Sequence, residues 1–274
     1  FGGNQELVWG GNYRAMRDHV EDTAGFVILP ARLNFDLGGI FFQHEIGLAD
    51  NAVRVISGYR AEHNHFTGWE HQPSLRVAWD LTGRAPAWVS AARSTRTPSR
   101  LDTGFFAPEE PPYFVAGGPD FESEELRAYE IGLRGRLGKN ASLTAAVFLH
   151  DYDDLRSVEP TFPVVVANGV EGRSYGAELF LDWDVKAWWR LRFGFFRTEQ
   201  STTVKSESND AERGLGESSF PSHQLQLRNS FRLARTVTLW TSLRHVGDVP
   251  SFENGVSGRV PAYTELDLRL AWSA

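Results

Sequence analysis

The chain has no cysteine and only one methionine among its 274 residues. Without cysteine, disulfides, zinc–thiolate sites and thiol catalysis are all excluded. An excess of positive charge is missing too, because the formal net charge is −7. We therefore expect no nucleic-acid partner held by phosphate contacts. The lack of thiols is compatible with an oxidising compartment.

Long apolar runs are absent as well. No stretch approaches the roughly 18 consecutive apolar residues that a membrane-spanning helix needs, and amphipathic helical patterns are hard to find. These absences exclude a helical membrane protein but not a membrane β-barrel, whose strands give a much weaker signal. The sequence begins at Phe1 without an initiator methionine or the features of a secretion signal. We expect either that a signal has been removed or that the chain is a piece of a longer protein.

Alternation of apolar and polar residues is the dominant pattern in the sequence. In 265–272, for example, Leu266, Leu268 and Leu270 alternate with charged residues. Such a period of two predicts β-strands with one apolar and one polar face, and we count about twelve of them. The predicted strands begin near residues 6, 39, 52, 73, 86, 126, 141, 172, 188, 222, 237 and 262.

The predicted connections alternate between short and long. The short ones are 49–51, 82–86, 137–141, 184–187 and 234–237. The long ones are 17–38, 63–72, 97–125, 151–171, 199–221 and 247–261. This sorting is typical of an up-and-down barrel in an outer membrane, with tight periplasmic turns and long extracellular loops. A soluble β-sandwich with a tryptophan-rich core would leave the sorting unexplained.

Tryptophan and tyrosine divide between the two ends of the predicted strands. The tryptophans near short turns or chain ends are Trp9, Trp79, Trp88, Trp183, Trp188, Trp189, Trp240 and Trp272. The tyrosines near the long loops are Tyr13, Tyr59, Tyr129, Tyr152, Tyr175 and Tyr263. Aromatic belts at both membrane interfaces are expected of such barrels.

The stretch after the tryptophan-rich turn at 183–189 predicts which side chains face water. Arg190 and Arg192 alternate with large apolar residues. We expect the two arginines to face a watery lumen and the apolar set to face acyl chains. That apolar set is Leu191, Phe193 and Phe195.

Several motifs follow one another in a defined order. The stretch 59–102 carries Glu-His-Asn, Gln-Pro-Ser and then Arg-Thr-Pro-Ser. A Tyr-Glu-x-Gly motif lies in 123–137, and an Asn…Gly-x-Glu strand lies in 168–185. In this order and spacing the set resembles the barrel of TonB-dependent outer-membrane receptors. The stretch 260–272 is similar to the strand shortly before that barrel closes.

The resemblance implies an all-β fold, a transmembrane antiparallel up-and-down β-barrel with about 12 strands present of a probable 22. Residues 1–274 would be part of that barrel domain, without the plug domain and the final strands. It also implies a monomer in the outer membrane of a Gram-negative bacterium, in contact with outer-membrane lipid. Its function would be energy-coupled uptake of an iron–siderophore or similar metal complex from outside. The TonB–ExbB–ExbD inner-membrane complex would act through the missing plug segment.

One predicted outer loop carries a group of histidines. His63, His65 and His71 lie in it together with Trp69. His-x-His is a possible spacing for metal ligands, so these four residues are candidates for contact with a metal chelate. The alternative is that histidine, like tyrosine, simply suits a membrane interface. No metal site is assigned, and the acids of 109–125 lack a recognisable spacing for calcium.

Two arginines near the longest loop are further candidates for ligand contact. Arg96 and Arg100 carry forked guanidinium groups that suit carboxylate or catecholate oxygens. The alternative is that they hold the loop by pairing with its own acids. Those acids are Asp102, Glu109, Glu110 and Asp120.

Catalytic motifs are missing. The chain has no nucleophile elbow, phosphate-binding loop or zincin motif, so neither an enzyme nor a cofactor is predicted. The main alternative function is a self-contained twelve-stranded passive pore. An outer-membrane hydrolase would need a Ser–His pair that does not stand out, and a soluble carbohydrate-binding β protein is a further alternative. The cargo stays open, because a fold does not determine what its loops bind.

Overall fold

A computed structural model gives the structure of the chain. It describes residues 4–21, 25–80, 83, 85–210, 212, 214, 215, 219–253 and 256–273. The strands are β1 (Gln5–His19), β2 (Val27–Ile28), β3 (Arg32–Leu48), β4 (Val53–Asn64), β5 (Gly68–Asp80), β6 (Pro86–Arg96), β7 (Phe105–Ala107), β8 (Val115–Ala116), β9 (Glu124–Leu137), β10 (Ala141–Glu159), β11 (Val164–Lys186), β12 (Trp189–Val204), β13 (His223–Ala234), β14 (Val237–Val246), β15 (Val249–Glu253), β16 (Val256–Val260) and β17 (Tyr263–Trp272), with the short helix α1 (Arg100–Gly104).

The main sheet is an antiparallel meander. In the described part of the chain its order is β1-β3-β4-β5-β6-β9-β10-β11-β12-β13-β14-β17, so each long strand pairs with the next long strand. The prediction of about twelve up-and-down strands is therefore confirmed. Within the described ranges β1 and β17 each pair on one side only, so the sheet is open and forms part of a barrel. Among these residues no helix is both long and apolar enough to cross a membrane.

One face of the sheet is apolar across all of the central strands. Residues that pair across an antiparallel ladder lie on the same face, so the register defines each face. One apolar row runs through Ile46, Val55, Val77, Val89, Ile131 and Val147. A second row continues it through Leu143, Leu181, Phe193, Leu227, Leu243 and Leu266. We call this surface the apolar face.

The apolar face lies open instead of packing against another layer. Leu266, Leu268 and Leu270 are 61%, 66% and 66% exposed. In a soluble protein, leucines at alternating positions of one strand would pack into a core. Bare apolar surface on this scale is typical of a protein that meets lipid. The opposite side, which we call the polar face, carries Arg190 and Arg192, as predicted.

The outer ends of the strands extend further than the sequence predicts. The stretch 151–171 was predicted as a loop, but β10 runs to Glu159 and β11 begins at Val164. The predicted loop 63–72 is also mostly strand, with a turn only at 65–67. The Asn64 side chain closes this turn by accepting from the amides of Phe66 and Thr67, at 2.9 and 3.0 Å. Strands outside the lipid lose the contrast between faces, so alternation does not reveal them.

The long outer loops fold into a small structure of their own. β8 pairs in parallel with β11, and β7 joins β8 to β2, which brings three loops together. α1 begins after Ser99, whose side chain and backbone form a capping box with Asp102. The larger buried apolar residues lie mainly in this outer region and include Val27, Ile28, Phe121, Leu155 and Val170.

The tryptophans near the short turns do not all lie on one face. Trp79, Trp183 and Trp189 lie on the apolar face, as a membrane belt requires. Trp88 and Trp240 lie on the polar face instead. Each of these two has a polar partner there, because Trp88 Nε1 donates to Glu130 and Arg269 lies 5.3 Å from the Trp240 ring centroid. The belt expectation therefore fails for these two residues.

Candidate functional site: the polar face and the outer loops

Aromatic rings on the polar face lie over glycines of the neighbouring strand. Phe148 is paired with Gly176, and Phe180 with Gly194. Trp88 is paired with Gly132 in the same way, and the Arg76 guanidinium carbon lies 5.7 Å from the Trp88 ring centroid. A glycine has no Cβ to hold the ring away, so the rings approach the strand closely: a Cβ built on Gly176 would lie only 2.6 Å from Phe148 Cζ. The polar face thus carries broad aromatic surfaces between its charges.

The aromatic surface continues towards the outer loops. The rings of Phe148 and His150 stack at 4.8 Å between centroids, and those of Phe148 and Phe196 at 6.1 Å. His150 in turn contacts Tyr152 edge to face, at 6.1 Å. These distances are in the range of favourable aromatic pairs. Sequence reasoning placed Tyr152 at a loop end but did not predict this cluster, because its members come together only through the register.

A cavity of about 330 Å³ opens beside Tyr152, where the polar face meets the outer loops. It has both apolar and polar walls, a combination typical of small-molecule sites. Its lining includes Arg96, Leu126, Tyr152, Leu155, Gln200 and Phe220.

The histidine candidates lie at the tip of the β4–β5 hairpin. His63 is directly paired with Trp69, and their ring centroids are 5.3 Å apart. His71 Nδ1 and the Tyr59 hydroxyl are 2.6 Å apart, also on the side continuous with the apolar face. His65 lies exposed in the turn. Among the described residues no group of three or more acids and histidines could hold a metal ion. Ligand contact by these four residues stays a prediction.

Arg96 lies within a network of acids at the base of the longest loop. Its Nε donates to Glu124 at 2.6 Å, and its Nη1 lies 3.4 Å from Asp102. The guanidinium carbon is also 6.0 Å from the Phe121 ring centroid. Asp102 is one of the acids that the sequence offered as a partner, so this arginine does hold the loop. It also borders the cavity, so a ligand contact stays a prediction.

Arg100 ties two outer loops together. The side chain is buried, and its Nη1 donates to Asp18 at 2.5 Å, at the end of β1. Its Nη2 donates to the carbonyl oxygen of Pro30. Arg100 therefore connects α1 to the loop that precedes β3, which is a structural task.

Glu159 joins a third loop, at residues 205–210, to the β10–β11 hairpin. We call its hydrogen bonds the clasp. This carboxylate accepts from the hydroxyls of Ser157 and Ser208 and from the amide of Asn209, the last at 2.8 Å. Burial alone would raise the pKa of Glu159, but these hydrogen bonds outweigh it and hold the pKa below its ordinary value. The charged carboxylate is therefore the form that closes the clasp.

Lys205 also joins this loop to β10, through two ion pairs. Its Nζ lies 2.5 Å from Asp154 and 2.9 Å from Asp153. Burial lowers the pKa of Lys205, and the two carboxylates raise it by more, so the net shift is upwards. Asp154 adopts a left-handed backbone conformation with φ of 57°, at a bulge in β10.

Comparison with known proteins shows which family has this architecture. The whole chain, residues 1–274, matches the family model described as TonB dependent receptor-like, beta-barrel. No curated protein matches the sequence significantly. Individual similar proteins are therefore identified by comparison with solved structures.

Several solved receptor structures share the fold. The siderophore receptor PirA from Acinetobacter baumannii matches with a TM-score of 0.77 and 13% identity, over 98% of this chain and 46% of its own. A mutant of the ferric enterobactin receptor PfeA from Pseudomonas aeruginosa, in complex with enterobactin, matches with a TM-score of 0.76 and 13% identity, over 98% and 44%. The FrpB iron transporter from Neisseria meningitidis matches with a TM-score of 0.74 and 13% identity, over 99% and 46%. The chain thus spans less than half the length of these receptors, and it belongs to the TonB-dependent receptor β-barrel family.

Proposed function

We propose that the chain is part of an outer-membrane receptor that takes up an iron–siderophore or similar metal complex by energy-coupled transport. The family match over the whole chain carries this proposal. The similar structures support the iron-complex class, since their names describe a siderophore receptor, a ferric enterobactin receptor and an iron transporter. The family is one of receptors and transporters, whose barrels lie in the outer membrane of Gram-negative bacteria.

The two faces of the sheet suit that task. The apolar face would meet acyl chains, and the polar face would line a lumen that a globular plug domain of the receptor occupies. The TonB–ExbB–ExbD complex of the inner membrane would supply the energy by acting on the plug. The passive-pore alternative requires β1 and β17 to close on each other, and these strands do not pair in the described part of the chain.

The cavity beside Tyr152 is the proposed place of first contact with the metal complex. It lies between the polar face and the outer loops, and the Arg96 side chain on its border is 49% exposed even while paired with Glu124 and Asp102, so it can also contact a ligand oxygen. The exposed residues His65 and Trp69 at the β4–β5 tip are a second proposed contact region. Arg100 and His71 already serve other partners, so we propose that they act by holding their loops.

Uptake of radioactive iron by cells of the source bacterium tests the function. We expect that deleting the gene abolishes uptake of one class of ferric siderophore, and that the intact receptor restores it. Removing TonB should stop the same uptake while leaving binding at the cell surface intact. Uptake that continues without TonB would support passive diffusion instead. Unchanged uptake of every iron complex tested in the deletion strain would contradict the proposed cargo.

A further inference from the structure

Two histidine rings lie next to each other at the outer ends of β13 and β14. His223 is the first residue of β13, and His245 is the last but one of β14. Their ring centroids are 5.4 Å apart, with 30° between the ring planes. Both side chains lie on the side continuous with the apolar face, because Leu225 is directly opposite His245 and follows His223 by two positions. We call these two residues the histidine pair.

The Nδ1 atoms of both rings are already bound to hydroxyl groups. His245 Nδ1 and Thr264 Oγ1 are 2.9 Å apart, and His223 Nδ1 and Ser222 Oγ are 3.1 Å apart. When a hydroxyl oxygen accepts the proton of Nδ1, the lone pair of a neutral imidazole lies on Nε2. Neither Nε2 atom has a hydrogen-bond partner in the described part of the chain. The histidine pair therefore offers two imidazole nitrogens to a further ligand.

The hydrogen bonds and the packing turn the two rings towards each other. Thr264 belongs to β17, which lies on the far side of β14 from β13. The two nitrogens of a histidine ring point in nearly opposite directions, so Nε2 of His245 faces back towards β13. The His223 ring leans over the residue that follows β14, since a Cβ built on Gly247 would lie 2.8 Å from both Cε1 and Nδ1 of that ring. The missing side chain of Gly247 permits this approach.

The separation of the rings fits a common metal ion. A transition metal binds a histidine nitrogen at about 2.0–2.1 Å, which places the metal roughly 3.2 Å from the centroid of the ring. Two centroids 5.4 Å apart then subtend about 115° at that metal, close to the tetrahedral angle that zinc prefers. Metal-bound histidines usually donate their other ring N–H to an oxygen atom, and both rings have such a partner.

We propose that the histidine pair binds a divalent transition-metal ion through its two Nε2 atoms, with water at the remaining positions. Imidazole suits zinc, copper and nickel, whereas calcium and magnesium prefer oxygen ligands. The ion would join β13 to β14 where long loops leave the sheet, and it would stabilise the folded state because the unfolded chain does not hold the two rings together. The histidine pair lies on the opposite side of the sheet from the polar face. The ion is therefore not the cargo of the proposed uptake, and the inference does not rest on that function.

The neighbouring charges are balanced and do not oppose a cation. Arg197 is directly opposite His223, but its Nη2 donates to Glu199 at 2.9 Å. On the β14 side, Asp248 is paired with Arg259 at 2.7 Å. Each arginine thus has a carboxylate partner, and neutral imidazoles, the form that binds metal, add no charge.

Quenching of a fluorescent dye by bound Ni²⁺ tests the proposal in the intact receptor. The chain contains no cysteine, so Ser201→Cys introduces a labelling site, and any cysteine elsewhere in the receptor would first be replaced. This site is about 14 Å along β12 from Arg197 and on the same side of the sheet. Bound Ni²⁺ quenches a dye by energy transfer that falls steeply with distance, whereas Zn²⁺ does not. We expect saturable quenching by Ni²⁺ that an excess of Zn²⁺ reverses.

Removing either ring should remove the site. We expect His223→Gln and His245→Gln each to raise the half-saturating Ni²⁺ concentration at least about tenfold. Gly247→Ala keeps both histidines but displaces the His223 ring, so we expect a smaller rise in the same direction. His44→Gln is the matched control, because His44 lies on the same side but its Nε2 is 3.2 Å from the Gln5 side-chain oxygen. This control should titrate like the unmodified receptor, and the electrophoretic mobility of each variant without heating confirms that its barrel is folded.

Two results would overturn the proposal. Absence of saturable quenching in the unmodified receptor would show that the two rings only pack against each other as an aromatic pair. Quenching with an unchanged half-saturating concentration in both His→Gln variants would place the metal at another site. Neither result involves iron uptake, so failure here is distinguishable from failure of the proposed function.

Discussion

Two glycines of the polar face give a sharp test of the structure, because they look alike in sequence but differ in free space. Gly176 lies in β11 beneath Phe148, and Gly194 lies in β12 beneath Phe180. A Cβ at Gly176 would lie 2.6 Å from Phe148 Cζ and would also clash with the backbone carbonyl oxygen of Arg197. A Cβ at Gly194 would lie 3.5 Å from the nearest Phe180 atoms, which is an ordinary contact.

The expected effects therefore have opposite signs. Gly176→Ala must displace backbone as well as a ring, so we expect a loss of about 2–3 kcal/mol in the free energy of unfolding, in the upper range for overpacking. Gly194→Ala removes freedom from the unfolded chain without a clash, so we expect a gain of up to about 0.5–1 kcal/mol. Both variants keep the ring that covers the site.

Urea unfolding of the intact receptor in detergent measures this difference. The folded barrel is followed by its faster migration in electrophoresis without heating. The urea midpoints of the two variants are compared, provided that the free energy of unfolding falls with urea at the same slope in both. We expect the Gly176→Ala midpoint to lie clearly below that of the unmodified receptor, and the Gly194→Ala midpoint at or above it. Equal midpoints for the two variants, or the reverse order, would refute the register between β10, β11 and β12.

Two further predictions concern the outer loops. Arg100→Ala leaves Asp18 without its partner, so we expect faster proteolysis of the loop before β3. Arg173→Ala removes an exposed ion pair and should change the proteolysis rate little. Equal rates for the two variants would contradict the role of Arg100 in connecting the loops. The lowered pKa of Glu159 means that the clasp is stable above the ordinary carboxylate pKa and is lost as pH falls through the lowered value. Relative to its rate on the unfolded chain at the same pH, we therefore expect pepsin to cut near 205–210 only when the pH falls below the ordinary carboxylate range, and we expect Glu159→Gln to abolish that acid dependence. A relative cut rate that does not change with pH in the unmodified receptor would contradict this prediction.

The sequence predicted the membrane-spanning strands well because their two faces meet different surroundings. Leu266, Leu268 and Leu270 must meet lipid while Asp267 and Arg269 face the other way, and this contrast produces a clear period of two. Beyond the lipid the contrast between the two faces disappears, so the sequence predicts a loop where the outer part of β10, up to Glu159, is a strand.

The candidate site was less predictable because it depends on register and on long-range partners. Proximity in sequence grouped His63 with His71, but the turn at 65–67 places both on the side continuous with the apolar face. Arg96 was paired in sequence with the nearby Asp102, and that was found. Its stronger partner Glu124 lies across a ladder from it, and only the pairing of β6 with β9 brings the two together.

Collision of molecular oxygen with spin labels tests most directly that the apolar face meets lipid. Single cysteines at Leu191, Arg192, Phe193 and Gly194 of the intact receptor would each carry one label in reconstituted membranes. Oxygen concentrates in acyl chains, so we predict high accessibility at 191 and 193 and low accessibility at 192 and 194, following the alternation of β12. Uniform accessibility along the four positions, or the opposite alternation, would contradict the assignment of these strands to a membrane barrel.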